Sequence, residues 1–388
     1  MDWGRAKLGE IAEVGAGNSA PQDKELFLDG SFPFFRTSDI GRVLFGRVFE
    51  ARDLLNKAGI KKLKKYSVDD ILIPKSGAST FLNHRVMLGV DGYVSSHLAV
   101  VSANKKVILP KYLLYFLSLI KAQDLIQDHS YPSLKLTDIT SIDVSYPPIP
   151  EQQRIVAILD QAFADIEKAR ANAEKNLKNI LELYLSNKQE IFGRSNLESQ
   201  MMNLTSVCEN IFAGGDAPKK GLYSKTKTDN YKIPIYANAV KDAGLYGFTD
   251  YFRVDKPSIT IAARGSGTGH IELRRDSFLP IVRLIVLIPL TETLSLEYFK
   301  HALQNLDILR SGSAIPQLTV PMIKEYSIPV PSLDSQLSIV DEIESLGGYI
   351  EECKKLYEQK LASLDELKKS LLQKAFSGEL TKSKGIAA

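Results

Sequence analysis

The stretch Pro147-Pro148-Ile149-Pro150-Glu151-Gln152-Gln153-Arg154-Ile155-Val156 returns 184 residues later, without a gap, as Pro331-Ser332-Leu333-Asp334-Ser335-Gln336-Leu337-Ser338-Ile339-Val340. Moving outward, the same offset pairs Pro132, Leu134 and Ile139 with Pro316, Leu318 and Ile323. In the other direction it pairs Ile166-Glu167 with Ile350-Glu351, Leu177 with Leu361 and Leu183 with Leu367. Ser186, Gln189 and Phe192 then meet Ser370, Gln373 and Phe376. A gapless correspondence over about sixty positions marks an internal repeat, the feature to be read before any local motif.

The segments ahead of these blocks match loosely, with changing offsets. Leu8 to Glu13 resembles Leu204 to Glu209, and each is followed by a small-residue loop, Gly15 to Pro21 and Gly214 to Pro218. Ile71-Leu72-Ile73 followed by Ser76-Gly77 parallels Ile259-Thr260-Ile261 followed by Arg264-Gly265. Each half therefore has a variable front and a well-kept back. The backs share one job, and the fronts do different jobs of one kind.

The fronts read as short strands between turn residues: Val43 to Phe49, Ile71 to Pro74, Leu98 to Val101, Ile142 to Ser145, Ile259 to Ala262 and Ile281 to Ile288. Each also holds a helical stretch, Lys111 to Ile126 and Leu296 to Leu309. Strands and helices without regular alternation predict an α+β fold. The first back, Glu151 to Phe192, holds no proline or glycine and is rich in Ala, Leu, Glu, Lys and Gln, so it predicts a long helix, with a brief break near Asp160. Ile166, Ala173 and Ile180 recur every seven residues, as do Leu177, Tyr184 and Ile191. Ile350, Tyr357, Leu364 and Leu371 keep the heptad in the second copy, with Leu361 and Leu367 beside it. A single such helix would read as an ordinary amphipathic core helix. Two matched copies predict a coiled coil that connectivity makes antiparallel, with pseudo-two-fold symmetry. About 40 residues at ~1.5 Å each form a rod of roughly 60 Å, longer than the ~34 Å of one DNA turn. The expected divisions are residues 1–150 and 196–332 for the two heads, 151–195 and 333–380 for the two spacer helices, and 381–388 for a tail.

Composition narrows the function classes. Of 388 residues, 44% are hydrophobic and 24% charged, an ordinary globular balance. No apolar stretch follows Met1-Asp2-Trp3-Gly4-Arg5, so no secretory leader is expected, and the longest apolar runs fall short of a membrane span. Cys208 and Cys353 give neither a disulfide framework nor a metal spacing, which suits a reducing cytoplasm. The net charge of +3 is only mildly basic, so a DNA partner would need positive charge gathered on one face or supplied by another subunit.

At this point the chain resembles a known family. Ile149 to Ala157, the helix after it, and the ending Leu371-Leu372-Gln373-Lys374-Ala375-Phe376-Ser377-Gly378-Glu379-Leu380-Thr381 are similar to the two conserved regions of type I restriction-modification specificity subunits. The loop Gly312-Ser313-Ala314-Ile315-Pro316-Gln317-Leu318 resembles that family's turn at the end of a target recognition domain. The second copy departs from the family at Asp334-Ser335-Gln336-Leu337, where the usual acidic-Gln-Gln run is incomplete, which bears on the partner contact there. The resemblance implies a subunit that reads a bipartite double-stranded DNA target, one half per domain, with the helices setting the spacer. It also implies two methyltransferase subunits that modify adenine at N6 with S-adenosylmethionine, and two restriction/translocase subunits that use ATP and Mg. The specificity chain would need no cofactor of its own.

A residue-level search for chemistry points the same way. No Gly-x-x-x-x-Gly-Lys-Ser/Thr phosphate loop is present, and Tyr146-Pro147-Pro148-Ile149 lacks the Asn or Asp of an amino-methyltransferase motif. His84, His97, His129, His270 and His301 have no metal-ligand spacing. Asp69-Asp70 with Lys75 suggests a nuclease set only faintly and reads better as a strand-entry turn. Gly265-Ser266-Gly267-Thr268-Gly269 lacks the full dinucleotide pattern and suits a loop that approaches DNA. Base edges are read by Arg, Lys, Asn and Gln, while Lys, Ser and backbone amides grip phosphate. The first front offers Asn18, Ser19, Arg36, Thr37, Lys75, Ser76, His97 and Lys135. The second offers Lys219, Lys220, Asn238, Arg264, Ser266, His270, Arg274, Arg275 and Gln317. Lys75 and Arg264, each leaving a strand into a glycine loop, lead these sets, and the repeat sets Thr37 near Asn238 and Ser76 near Arg264. A helical spacer whose heads bind protein or glycan, and a fused nuclease–methyltransferase, are the competing readings.

Overall fold

The structure, a computed structural model, describes residues 3–43, 45–126, 132–196, 199–265, 267–306 and 317–381. The chain divides into two compact units, Met1–Ala173 with Gln359–Ala388, and Glu174–Glu358.

In the first unit the strands are β1 (Gly4–Lys7), β2 (Ala12–Ala16), β3 (Phe32–Phe35), β4 (Phe45–Val48), β5 (Asp53–Leu55), β6 (Ile71–Pro74), β7 (Arg85–Leu88), β8 (Tyr93–Val94), β9 (Leu98–Ala103) and β10 (Asp143–Tyr146). They form a sheet in the order β2-β9-β6-β7-β4, a smaller one in the order β5-β3-β8, and the pair β1-β10. Ile71 to Pro74 and Arg85 to Leu88 are buried at every position, because both faces of the large sheet are covered. The period-two rule divides their side chains. Ile71, Ile73, Met87, Ala99 and Val101 enter one core, whereas Leu72, Val86, Leu88, Leu98 and Val100 enter another. The first core is closed by helices α1 (Leu8–Ile11), α3 (Pro110–Leu119) and α5 (Leu136–Thr140); α2 (Thr37–Val43) and α4 (Ala122–Leu125) complete the unit.

The second unit repeats this plan in its own strands: β11 (Gln200–Asn203), β12 (Cys208–Ala213), β13 (Ile233–Tyr236), β14 (Leu245–Thr249), β15 (Ser258–Ile261), β16 (Ile271–Arg274), β17 (Leu279–Pro280), β18 (Ile285–Pro289) and β19 (Ser327–Val330). Their orders are β12-β18-β15-β16, β14-β13-β17 and β11-β19. Each corresponds to a sheet of the first unit, even to the parallel pairing of β13 with β17 that answers β3 with β8. The short helices α7 (Leu204–Val207), α8 (Leu296–Gln304) and α9 (Val320–Lys324) answer α1, α3 and α5. The fold is α+β with an internal repeat.

Two long helices, α6 (Ile149–Asn196) and α10 (Leu333–Phe376), carry the well-kept blocks. In the first unit Arg170 pairs with Asp365, and Lys368 Nζ donates to Glu167 Oε1 at 3.2 Å. In the second, Asn176 Nδ2 donates to Tyr357 Oη at 3.1 Å and an Arg194 guanidinium nitrogen to Glu342 Oε1 at 2.8 Å. Numbers rise on one helix as they fall on the other, so the pairing is antiparallel. These exposed pairs contribute little each; apolar contacts at Ile166, Ala173 and Ile191, all buried, do more.

Both helices are fastened to the heads by the same device. Gln152, fully buried, donates from Nε2 to the carbonyls of Val107 (3.0 Å) and Pro147 (2.8 Å) and accepts from Leu109 N (2.8 Å). Gln336, also fully buried, donates to Thr293 and Pro331 (both 2.9 Å) and accepts from Ser295 N (2.8 Å). The glutamine shared by the two copies is thus a fastening inside the protein. Tyr112 and Tyr298 are likewise equivalent. Each is buried and donates its hydroxyl to a carbonyl, Ser145 (3.0 Å) or Pro329 (2.8 Å). Phe376, at the end of α10, packs edge-on against Tyr112 in the first unit, while Phe192, near the end of α6, packs on Tyr298 in the second. Each head therefore holds the start of one long helix and the end of the other.

Several expectations need correction. Val43 closes α2, so the strand begins at Phe45. Ile281 to Leu284 form a turn, and β18 starts at Ile285. The stretch Lys111 to Ile126 breaks after Leu119. Helix α8 ends at Gln304, and residues 307–309 lie outside those described, as do His129 and Gly312 to Pro316. Helix α6 has no break at Asp160, whose carboxylate accepts from Lys111 (2.7 Å) and Tyr115 and so ties the helix to α3.

Candidate nucleic-acid interface

Beyond Pro74, the chain of the first unit turns against two neighbours. Lys75 N donates to His97 O (2.9 Å), and Leu134 N donates to Lys75 O (2.8 Å). Ser76 bridges Ser133, and Ser76 Oγ lies 2.9 Å from His97 Nδ1. Lys75, Ser76 and His97 are thereby gathered at one rim with Ser133, and exposed Lys135 lies two residues further on. Gly77, at φ +77, turns the chain away.

The second unit builds the same rim. Leu318 N donates to Ala263 O (2.9 Å), and Arg264 bridges Gln317. An Arg264 guanidinium nitrogen donates to Gln317 Oε1 at 3.3 Å, and Gly265 (φ +81) turns the chain. Ser133 and Gln317 are equivalent through the repeat, so Ser76 and Arg264 occupy matched places, as do Lys75 and Ala263. Register likewise matches Thr37 with Asn238, each lying two residues beyond the end of its strand, β3 or β13.

Other candidates are committed inside the fold. Asn18 accepts from Lys64 N (2.7 Å) and donates to the Lys64 (2.8 Å) and Val94 (3.4 Å) carbonyls. Asn238 accepts from the amides of Ala263 and Arg264 and donates to Arg264 O (2.8 Å), setting the turn that presents Arg264. Arg36 pairs with Asp53 and lies over the Phe34 ring, and Thr37 opens α2. Arg274, expected in a solvent-facing loop, is buried at the end of β16. It donates to Thr260 Oγ1 (3.2 Å) and Ala243 O, with its guanidinium 3.6 Å from the Tyr236 ring centre. Arg275 pairs with Glu297, and His270 lies 2.8 Å from Glu272 Oε1. Ser19, Lys219 and Lys220 are exposed on loops, and Ser266 lies outside the described residues.

The small-residue loops also acquire a reason. A Cβ on Gly17 would lie 2.2 Å from Ser95 O, and one on Gly214 2.7 Å from the Pro280 carbonyl carbon, so only glycine lets each loop press against the turn beside it. One cation absent from the sequence-based sets, Arg283, lies in that turn of the second unit.

Two strongly perturbed groups lie on α6 and α8. Burial, then nearby Lys300, pushes the Lys188 ammonium down to about 8, and burial followed by Lys188 and Lys300 pushes His301 down to about 4. Asp69 turns with φ +78 into β6, pairing with Arg47 (2.5 Å) and Lys105 (2.9 Å), so the strand-entry reading holds. Burial raises its carboxyl pKa, but those cations outweigh it and hold the group below the usual range. A cleft of about 550 Å³ beside Phe45, Tyr115 and Phe163 has its charged groups already paired, Lys111 with Asp160 and Lys368 with Glu167. Among the described residues no cluster of His, Cys, Asp or Glu could hold a metal ion, and no helix is long and apolar enough to cross a membrane. Cys208 and Cys353 are free.

Two doubled heads on paired helices define a class. The sequence matches the type I restriction modification DNA specificity domain over residues 1–176 and again over 196–360. The chain belongs to that family. A Mycoplasma pneumoniae protein named as a type I specificity subunit is 31% identical over 266 residues, spanning 66% of this chain and 78% of its own. The EcoDI specificity subunit of Escherichia coli is 21% identical over 98% of this chain and 89% of its own. A solved chain from a study of type I restriction-modification assembly superposes with a TM-score of 0.80 at 19% identity, covering 97% of this chain and 98% of its own. The HsdS subunit of Thermoanaerobacter tengcongensis gives 0.64 at 19% identity, with 97% of each chain covered. At such identities these structures speak to the fold.

Proposed function

We propose that each unit reads one half of a bipartite double-stranded DNA target, and that the long helices fix the spacer and carry the partner subunits. The matched rims carry this reading. The same backbone positions present Lys75, Ser76 and Ser133 in one head but Ala263, Arg264 and Gln317 in the other. A shared scaffold with different donors and acceptors is what two different half-sites require. Family membership supports assembly with methyltransferase and restriction/translocase subunits, which would bring S-adenosylmethionine, ATP and Mg; this chain would supply recognition alone, in the cytoplasm. Exposed Leu181, Leu185, Tyr349 and Leu356 on the helices, each 46% exposed or more, suit such partners.

A salt titration of the chain with its methyltransferase partners on DNA tests the reading. Binding should weaken steeply and linearly in log–log form as phosphate contacts release counterions. Salt-independent binding would favour a protein- or glycan-binding spacer instead.

A further inference from the structure

The turn before β18 repeats the hydrogen bonds of the turn before β9, although its two central residues, unlike Ser96 and His97, lie at positive φ. In the first unit Leu98 N donates to Ser95 O (2.9 Å), Ser96 N to Asn18 O (2.7 Å) and Gly17 N to Leu98 O (3.0 Å). In the second, Leu284 N donates to Ile281 O (3.1 Å), Val282 N to Gly215 O (2.7 Å) and Gly214 N to Leu284 O (2.8 Å). Arg283 therefore stands where His97 stands. Register agrees: Ile261 pairs with Ile285, so Arg283 lies across from Ala263, just as His97 lies across from Lys75. His97 reaches the Ser76 hydroxyl, and Arg283 shares its rim with Arg264, which fills the place of Ser76.

The turn is held against its local preference. Val282 and Arg283 have φ of 51° and 61°, the mirror-image turn geometry that favours Asn-Gly. A β-branched valine is a poor occupant of that region, and strain of this kind persists where surrounding structure or function demands it. The result is an exposed arginine whose side chain has no hydrogen bond, ion pair or ring contact among the described residues. Arginine's planar fork matches the O6 and N7 of guanine in the major groove.

We infer that Arg283 is a base-reading residue of the second unit, specific for guanine in its half-site, with His97 in the corresponding place of the first. This rests on the bipartite reading proposed above. The test is selection from random DNA by the full chain with its methyltransferase partners, wild type beside Arg283→Gly and Arg283→Lys. Glycine relaxes the turn, so Arg283→Gly should unfold at the wild-type temperature or above it. Expected for Arg283→Gly is a loss of roughly 10- to 100-fold in discrimination at one guanine of one half-site, with a smaller loss at the same position for Arg283→Lys and the other half-site and the spacer unchanged in both. Unaltered preferences in folded variants would overturn the inference. So would uniform weakening across all sequences with a shallower salt slope, the mark of a phosphate contact. A wild-type chain that selects no split sequence would instead overturn the bipartite reading itself.

Discussion

Lys188 shows how far one residue can depart from the repeat that frames it. Its counterpart Leu372 is buried in the first unit, but Lys188 brings an ammonium into an equally closed position, where Gln304 Oε1 accepts from it at 2.9 Å. Burial and Lys300 lower its pKa from 10.5 to about 8, so at neutral pH the charged form persists at a cost to the fold. Lys188→Leu should raise stability at pH 7 by on the order of 1–3 kcal/mol, measured by denaturant unfolding. The sign of the pH dependence follows from proton counts. Between pH 8 and 10.5 the unfolded wild type binds the extra proton, so native stability rises with pH there and the variant's advantage shrinks. His301, lowered from 6.5 to about 4, adds a second rise between pH 4 and 6.5 and none above. An advantage that grows above pH 8 would contradict this account. At the same scale, polar residue type is a poor guide to which side chains the fold leaves free. Asn18 and Asn238 carry the amides expected of adenine readers, yet Asn18 is bonded to the backbone of Lys64 and Val94, and Asn238 to that of Ala263 and Arg264. Arg283 was hidden for the opposite reason, because Ile281 to Ile288 reads as one apolar strand and its turn lacks the Asn-Gly signal.

Among the elements, α6 and α10 were legible as long helices because composition, heptad spacing and the gapless repeat all agree on them. The break once expected near Asp160 is absent because that residue's charge is satisfied sideways, by Lys111 and Tyr115, a partnership no local pattern reveals. The start of each helix is fixed by its buried glutamine. Gln336→Leu would leave Ser295 N without its acceptor and the Thr293 and Pro331 carbonyls without their donor, in a closed site. We expect a loss of about 3 kcal/mol, read as a lower denaturant midpoint. Gln152→Leu should cost the first unit a similar amount, since its three bonds are equivalent. A near-neutral effect for both would show that the helices are held by apolar packing alone.

For the molecule as a whole, the sequence divides into constant and variable parts, and the structure gives that division a physical form. The constant parts are the long helices with their Gln, Tyr and Phe fastenings, repeated in each unit. The variable parts are loops hung on matching sheets, whose offsets drift because loops tolerate insertion where strands do not. Fold class and family were therefore readable from the chain, whereas the matched rims that we propose read DNA depend on long-range pairings such as Ser76 with Ser133 and Arg264 with Gln317. The central claim, that two heads read two half-sites at a distance set by the helices, has a direct test. Seven residues are removed from each long helix, residues 174–180 and 354–360, which preserves the heptad phase and shortens each by roughly 10 Å. Adenine methylation is then mapped in cells carrying the chain with its partner subunits. The account predicts a split motif for the wild type, and for the shortened chain the same two half-sites about three base pairs closer together, at ~3.4 Å per pair. A spacer that stays the same, or half-sites that change, would contradict it.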